Sequence, residues 1–319
     1  LLVARQRRDS RIIRVSDCVS DLSFCKSLYA CCYISYFAGA KFTYGSKTGF
    51  ENSSFIYGIN YIIRHEHNIL AGLNFPGNAF YKKAEEGRDN IASFEFIPWI
   101  LGQCADVCEA RGLLEKIVLT DDCFSEELPA SPLHWMIADG SCSIVVEQTK
   151  TGLHVYDDPV GIMTNNPPFD IQLFGLNNYM NLSPEPAQNN FSKALDLDPY
   201  SRGMGAIGLP GDFSSASRFV RGAFTRMHAL LGKSEEESVS RFFRILESVA
   251  QPKGSVHLGG SAYEFTIYSS CCNLDRGIYY YNTYENHQIT AVDMHREDLE
   301  GQEIVSYPLR TGENILREN

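Results

Sequence analysis

Apolar and polar positions change rhythm several times along the chain, and each change marks an element. Asn68 to Phe75 is a short apolar run closed by Pro76-Gly77, the pattern of a buried strand. Phe94, Ile97, Leu101, Cys104, Val107, Cys108 and Leu114 recur at helical spacing and predict one amphipathic helix over 94–114, bent at Pro98. Leu133 to Ala138, Ser143 to Gln148 and Leu153 to Tyr156 read as consecutive strands, with hairpin turns at Asp139-Gly140 and Thr151-Gly152. Val160 to Thr164 continues as a strand and stops at Asn165-Asn166-Pro167-Pro168. Phe169 to Met180 is helical in pattern. Asn181 to Gly211 is rich in Pro, Asn and Gly, a long loop of the kind given to function or subunit contact.

Ser214 to Leu231 is the clearest helix, with Phe219, Val220, Ala223, Phe224, Met227, Leu230 and Leu231 on one stripe and Asp212 or Ser214 as its cap. Glu235 to Val249 follows as a second helix capped by Ser234. Glu264 to Tyr268, Gly277 to Tyr284 and Gln288 to Met294 return to strand. Strands, then helices, then strands, without regular βαβ alternation, predict stacked layers of antiparallel sheet and helix, an α+β protein. No GxGxxG follows a predicted strand and no GxxxxGK[ST] occurs, so nucleotide phosphates have no cradle.

Composition changes this picture at one place. Across 319 residues the net charge is −11, which argues against a duplex nucleic-acid partner, and no apolar run is long enough to span a membrane. Residues 1–64, however, hold nine basic side chains against four acidic ones. All thirteen prolines lie at or after Pro76, and four of the ten cysteines, Cys18, Cys25, Cys31 and Cys32, fall within the first 32 residues. The basic stretch from Leu1 to Arg14 is not followed by the apolar core of an export signal. Its arginines are interleaved with Ile, Val and Asp rather than gathered as in a nucleic-acid-binding arm. The remaining cysteines are scattered without a CxxC pair, as core thiols in a reducing cytoplasm would be. His65-x-His67 lacks a second ligand pair, so no metal is expected.

Three residues could carry chemistry. Asn74 ends an apolar strand, and Asn165 ends the run from Gly161 to Thr164; each is either a turn-capping Asn or a neutral donor at a strand end. Arg218 lies in the first turn of its helix, where the macrodipole disfavours a cation, so it is either a surface salt-bridge partner or the neighbour of an anionic group. Together, two Asn and an Arg on separate element ends resemble an oxyanion-stabilising set that lacks its nucleophile.

Longer motifs extend this reading. Ala71-Gly72-Leu73-Asn74-Phe75, Pro132-Leu133-His134-Trp135, Ser143-Ile144-Val145-Val146-Glu147 and Gly161-Ile162-Met163-Thr164-Asn165-Asn166-Pro167 stand in this order. Gly208-Leu209-Pro210-Gly211-Asp212, Ser217-Arg218-Phe219 and Gly277-Ile278-Tyr279-Tyr280-Tyr281 follow. From about residue 68 to its end the chain resembles the choloylglycine hydrolases, the bile salt hydrolases and related penicillin V acylases. The resemblance implies a four-layer αββα N-terminal-nucleophile hydrolase fold, in which a terminal cysteine activated by its own α-amino group attacks an amide. It assigns Asn165 to the oxyanion hole, Asn74 to the second active-site asparagine and Arg218 to the active-site arginine. Penicillin V acylases tend to carry Tyr where Asn74 stands, which favours conjugated bile acids as substrates. A cytoplasmic homotetramer without cofactor or metal is implied as well.

The opening of the chain departs from the family pattern. None of Cys18, Cys25, Cys31 and Cys32 is followed by the family's Arg and Asp at the proper distance. Residues 1–65 are therefore expected to be aberrant, an out-of-frame stretch with the frame restored near His67, and residues 66–319 to form the hydrolase domain. On this reading the family's nucleophile is absent and the polypeptide folds poorly and is inactive. The alternatives are a penicillin V acylase-like amidohydrolase and a remnant that at most binds bile acids.

Overall fold

Aliphatic runs build the larger sheet and strands rich in Tyr, Ser and Cys the second, and the side-chain alternation within them fixes the layers. The computed structural model describes residues 28–29, 62–65 and 68–319, apart from 125, 127, 128, 231, 298–304, 306, 309 and 311. In chain order the first strands are β1 (Leu28–Tyr29), β2 (Ile62–His65), β3 (Asn68–Asn74) and β4 (Asp89–Ala92). Helices α1 (Phe96–Leu101) and α2 (Val107–Leu114) precede β5 (Ile117–Thr120), β6 (Leu133–Asp139), β7 (Ser143–Thr149) and β8 (Gly152–Asp157). Then come α3 (Phe169–Gly175), α4 (Ser215–His228) and α5 (Glu235–Glu247). The final strands are β9 (Val256–Gly259), β10 (Ala262–Glu264), β11 (Tyr268–Asn273), β12 (Ile278–Thr283) and β13 (Asn286–Asp293).

The larger sheet is antiparallel in the order β2-β3-β6-β7-β8, and the second in the order β1-β11-β12-β13. Strand β6 is buried along its whole length, so both faces of the larger sheet are covered. Trp135, Ile137, Ile144 and Val146 point to one face, where they pack on Phe96, Ile100, Val107 and Leu114 of α1 and α2. Met136 and Val145 point to the other, where they meet Ile162, Phe169 and the α4 residues Phe219 and Ala223. On that inner face Ala138 also meets Cys272, Leu274 and Tyr279 of the second sheet. Cys271 and Tyr280, alternating with Cys272 and Tyr279, turn outward onto Val239, Phe242, Phe243 and Leu246 of α5. Helix, sheet, sheet, helix is the resulting order: a four-layer αββα sandwich.

The expected strands over 133–138, 143–148 and 153–156 are present in register, and Phe169 to Met180 is α3 followed by a 3-10 turn. Four expectations need correction. The single helix over 94–114 is two helices: Pro98 is tolerated in the first turn of α1, whose N–H groups need no intrahelical partner, and the break falls after Gly102. There Asp106 accepts from Glu109 N at 2.8 Å while Glu109 reaches back to Ala105 N at 2.8 Å, a reciprocal cap that starts α2 afresh. Val160–Thr164 is buried but is not a strand: Gly161 takes φ +59°, and the guanidinium of Arg226 fills the space where a Cβ would stand. The C-terminal run over 264–268 is interrupted between β10 and β11. Finally, α4 ends at His228, leaving Met227 and Leu230 exposed rather than on the buried stripe.

The parallel pair β4–β5 is an element that hydrophobic patterning did not disclose, since each strand has only four residues. Residues 1–65, expected to be aberrant, lie outside the described residues except for β1, paired with the end of β11, and β2, paired along β3.

Candidate active site

The three predicted residues converge at one end of the larger sheet's inner face. Asn74 closes β3 opposite Leu133 of β6, and the next residue is locked by the 2.7 Å bond from Phe75 N to Pro132 O. Asn165, 91 positions further on, crosses to it: its side-chain Nδ2 donates to the Asn74 carbonyl at 2.9 Å. From the other side Arg218 Nη2 donates to Asn165 Oδ1 at 3.0 Å. Arg218 is 2 % exposed, so the surface-salt-bridge reading fails. Its Nε donates to Phe213 O at 3.1 Å, across the start of α4.

The cap of α4 aims that arginine. Ser214 accepts from Ser217 N at 3.3 Å, and Asp212 accepts from Ser214 N at 2.9 Å and from the Ser217 hydroxyl at 2.5 Å. Both candidate caps are therefore used. Hydrogen bonds from Ser214 and Ser217 hold the Asp212 carboxyl down at about 2.

Asn165 is held by its backbone as well. Gln172 on α3 donates from Nε2 to Asn165 O at 3.0 Å and to Pro167 O at 2.7 Å, while its Oε1 accepts from the Thr164 hydroxyl at 2.6 Å. Ser215 at the start of α4 donates to that hydroxyl at 3.0 Å. The Asn166–Pro167 peptide is cis, and Asn166 Nδ2 donates to Pro76 O at 2.9 Å. Sequence reasoning missed Gln172, Thr164 and Ser215. A glutamine on the buried flank of α3, between Ile171 and Leu173, was the available signal.

This arrangement has a definite chemical capacity. A side-chain amide carries two N–H donors and a carbonyl acceptor. At Asn165 the acceptor is committed to Arg218 and one donor to Asn74, which fixes the amide plane and leaves a second N–H oriented before any ligand arrives. An acyl oxygen gaining negative charge is what such a donor stabilises best. Two of the buried cysteines are poor nucleophiles where they stand: burial pushes the Cys104 thiol up to about 11 and the Cys271 thiol higher still. Among the described residues no cluster of three or more His, Cys, Asp or Glu side chains could hold a metal ion.

Residues 40–307 match the model of the linear amide C–N hydrolases, choloylglycine hydrolase family. The chain belongs to that family. A bile salt hydrolase/transferase of Lactiplantibacillus plantarum is 53 % identical over 256 residues, covering 80 % of this chain and 79 % of that protein. One from Clostridium perfringens is 42 % identical over 239 residues, covering 74 % and 73 %. Among solved structures, an arginine-to-leucine variant of conjugated bile acid hydrolase from Clostridium perfringens matches at TM-score 0.72 and 40 % identity, over 80 % of this chain and 78 % of that one. Penicillin V acylase from Agrobacterium tumefaciens shares the fold at TM-score 0.56 and 20 % identity, over 73 % and 65 %. The four-layer architecture of this choloylglycine hydrolase family member is thus that of the N-terminal-nucleophile hydrolases, and its chemistry is hydrolysis of linear amide C–N bonds.

Proposed function

We propose that the Asn74–Asn165–Arg218 site cleaves the amide of glycine- or taurine-conjugated bile acids. The observation that carries the reading is the hydrogen-bonded chain from Arg218 through Asn165 to Asn74, an oriented amide donor in a fold whose relatives are bile salt hydrolases. The sulfur of a terminal cysteine bonds to the amide carbon while Asn165 Nδ2 receives the developing oxyanion. The C–N bond then breaks, and the amine departs with the proton that the terminal amino group took from the thiol. Water cleaves the thioester, regenerating the thiol and releasing the free acid. Asn74 keeps Asn165 in plane, and Arg218 does the same from the opposite side.

No described residue supplies that thiol, and Cys18, Cys25, Cys31 and Cys32 lack the family's downstream Arg and Asp. A chain that displays no such terminal thiol should bind conjugated bile acids without turning them over, with the out-of-frame part lying within residues 1–65 and 66–319 in the hydrolase domain. It works in the cytoplasm, in keeping with six described cysteines that are all free, and assembles as a homotetramer.

The test is a thermal melt of the polypeptide with glycocholate, taurocholate or penicillin V, paired with detection of the released amine or acyl product. The bile acids should raise the midpoint in a dose-dependent way, and no glycine or taurine should appear. A rise with penicillin V alone refutes the substrate class. Release of glycine or taurine refutes the statement on turnover.

A further inference from the structure

Two ionisable side chains beneath the site have no part in the amide chemistry just described. His134 on β6 and Glu147 on β7 are both fully buried, and His134 Nδ1 lies 2.9 Å from Glu147 Oε1. A carboxylate without its proton can only accept, and in that form of the pair the imidazole donates from Nδ1. The same carboxylate accepts the backbone N–H of Phe169, at 3.1 and 3.3 Å to its two oxygens. Phe169 opens α3 directly after Asn165-Asn166-Pro167-Pro168. On the other side the imidazole lies flat on the ring of Phe75, with centroids 4.3 Å apart and planes 2° apart. Phe75 directly follows Asn74. The pair thus touches both segments that the bond from Asn165 Nδ2 to Asn74 O joins.

Burying a carboxylate is costly, and an apolar pair of the same volume would fill this space without that cost. An apolar pair could not hold the Phe169 N–H, however, and would not tie that N–H to the ring on Phe75. Nε2 of His134 makes no hydrogen bond among the described residues, so the ring's orientation rests on Glu147 and the stack alone. We propose that His134–Glu147 is a positioning pair, which clamps the Phe75 end of β3 to the Phe169 end of the Asn165 segment and thereby sets the Asn165 amide against the Asn74 carbonyl. The inference rests on the amide-hydrolysing reading only for what the positioning serves.

Isotope labelling of asparagine nitrogen in the full chain reads it directly, with the Asn165 side-chain amide identified by its loss in Asn165→Asp. His134→Phe keeps the stack and deletes the donor; it should shift or double the Asn165 resonances and weaken glycocholate about tenfold, the loss of one oriented hydrogen bond. His134→Asn, whose Nδ2 takes the place of Nδ1 but which has no ring to lie on Phe75, should move the resonances as well. Ile137→Val, on the opposite face of β6, removes core contacts without touching either segment and should leave the Asn165 resonances in place. If His134→Phe does not fold, Phe75→Leu severs the stack instead and should also move them. Resonances unmoved in the folded variant, or moved as far by Ile137→Val, overturn the proposal. If glycocholate leaves the parent protein unaffected, the substrate reading fails, while the resonances still decide the positioning.

Discussion

Asp158 sits under the turn that delivers Asn165, and it is the residue most exposed to a change of pH. Its Oδ1 accepts the N–H groups of Val160 and Gly161 at 3.1 and 2.8 Å, yet the side chain is almost wholly buried. Burial pushes its carboxyl up to about 6, against the pull of those N–H groups and of Arg226. The folded protein therefore binds this proton more tightly than the unfolded chain does. Its contribution is full below the ordinary carboxylate value of about 4 and falls as pH rises through about 6, by about 3 kcal/mol in all. Asp212, held low, acts in the opposite sense at more acid pH, so the two separate in a mutant comparison. Urea unfolding between pH 4 and 7 should show stability falling with pH in the parent, and a flatter profile in Asp158→Asn. Equal slopes would remove Asp158 from the account.

At the same scale, Asn74, Asn165 and Arg218 were legible because each breaks a local rule: a polar residue closing an apolar run, or a cation at a helix start. Gln172 and the His134–Glu147 pair were not, because their partners come from other strands and segments that no periodicity brings together. Nor did sequence disclose that Asn165 grips the backbone carbonyl of Asn74.

Among the elements, α4 matters most, since its first turn carries Arg218. Ser214 satisfies the Ser217 N–H there, and Phe213 O receives both Arg218 Nε and Gln251 Nε2, the latter at 3.3 Å. Ser214→Ala should cost about 1 kcal/mol in urea unfolding. A loss indistinguishable from zero would mean that Asp212 alone suffices as the cap. The start of α4 was legible from its capping residues, whereas its end was not, because Met227 and Leu230 continue the apolar spacing past the last buried turn. The reverse holds for the 94–114 region. Its periodicity is real on both sides of Gly102, and the Asp106–Glu109 cap that splits it could have been read from residue type and spacing. Val160–Thr164 misleads for another reason: an apolar run reports burial, and burial without a partner strand gives no ladder.

For the whole molecule, the order of strands, helices and strands sufficed to read stacked layers of sheet and helix, because each sheet must cover both faces; α1, α2 and α5 take the outer ones, while α3 and α4 reach the inner face of the larger sheet. What that architecture leaves uncovered bears on assembly. From the end of α3 to the start of α5 the chain exposes Phe174, Met180, Phe191, Tyr200, Ile207 and Leu230, three of them more than 80 % accessible. Isolated apolar side chains at a surface are ordinary, whereas a succession of large ones over one stretch of chain is what the proposed assembly would cover. A symmetric contact between copies needs nothing beyond this chain, and it would take the loop from Asn181 to Gly211 out of water together with its neighbours. Light scattering at micromolar concentration tests the homotetramer proposed above and should give its mass. Phe191→Asp combined with Tyr200→Asp should lower it to dimers or monomers, since each places a charge where the contact would desolvate it. Neither side chain touches the core, so the variant should keep its far-UV spectrum. A monomeric parent protein at that concentration would refute the assembly and leave the Asn74–Asn165–Arg218 site unaffected, because every bond that holds that site comes from within one chain.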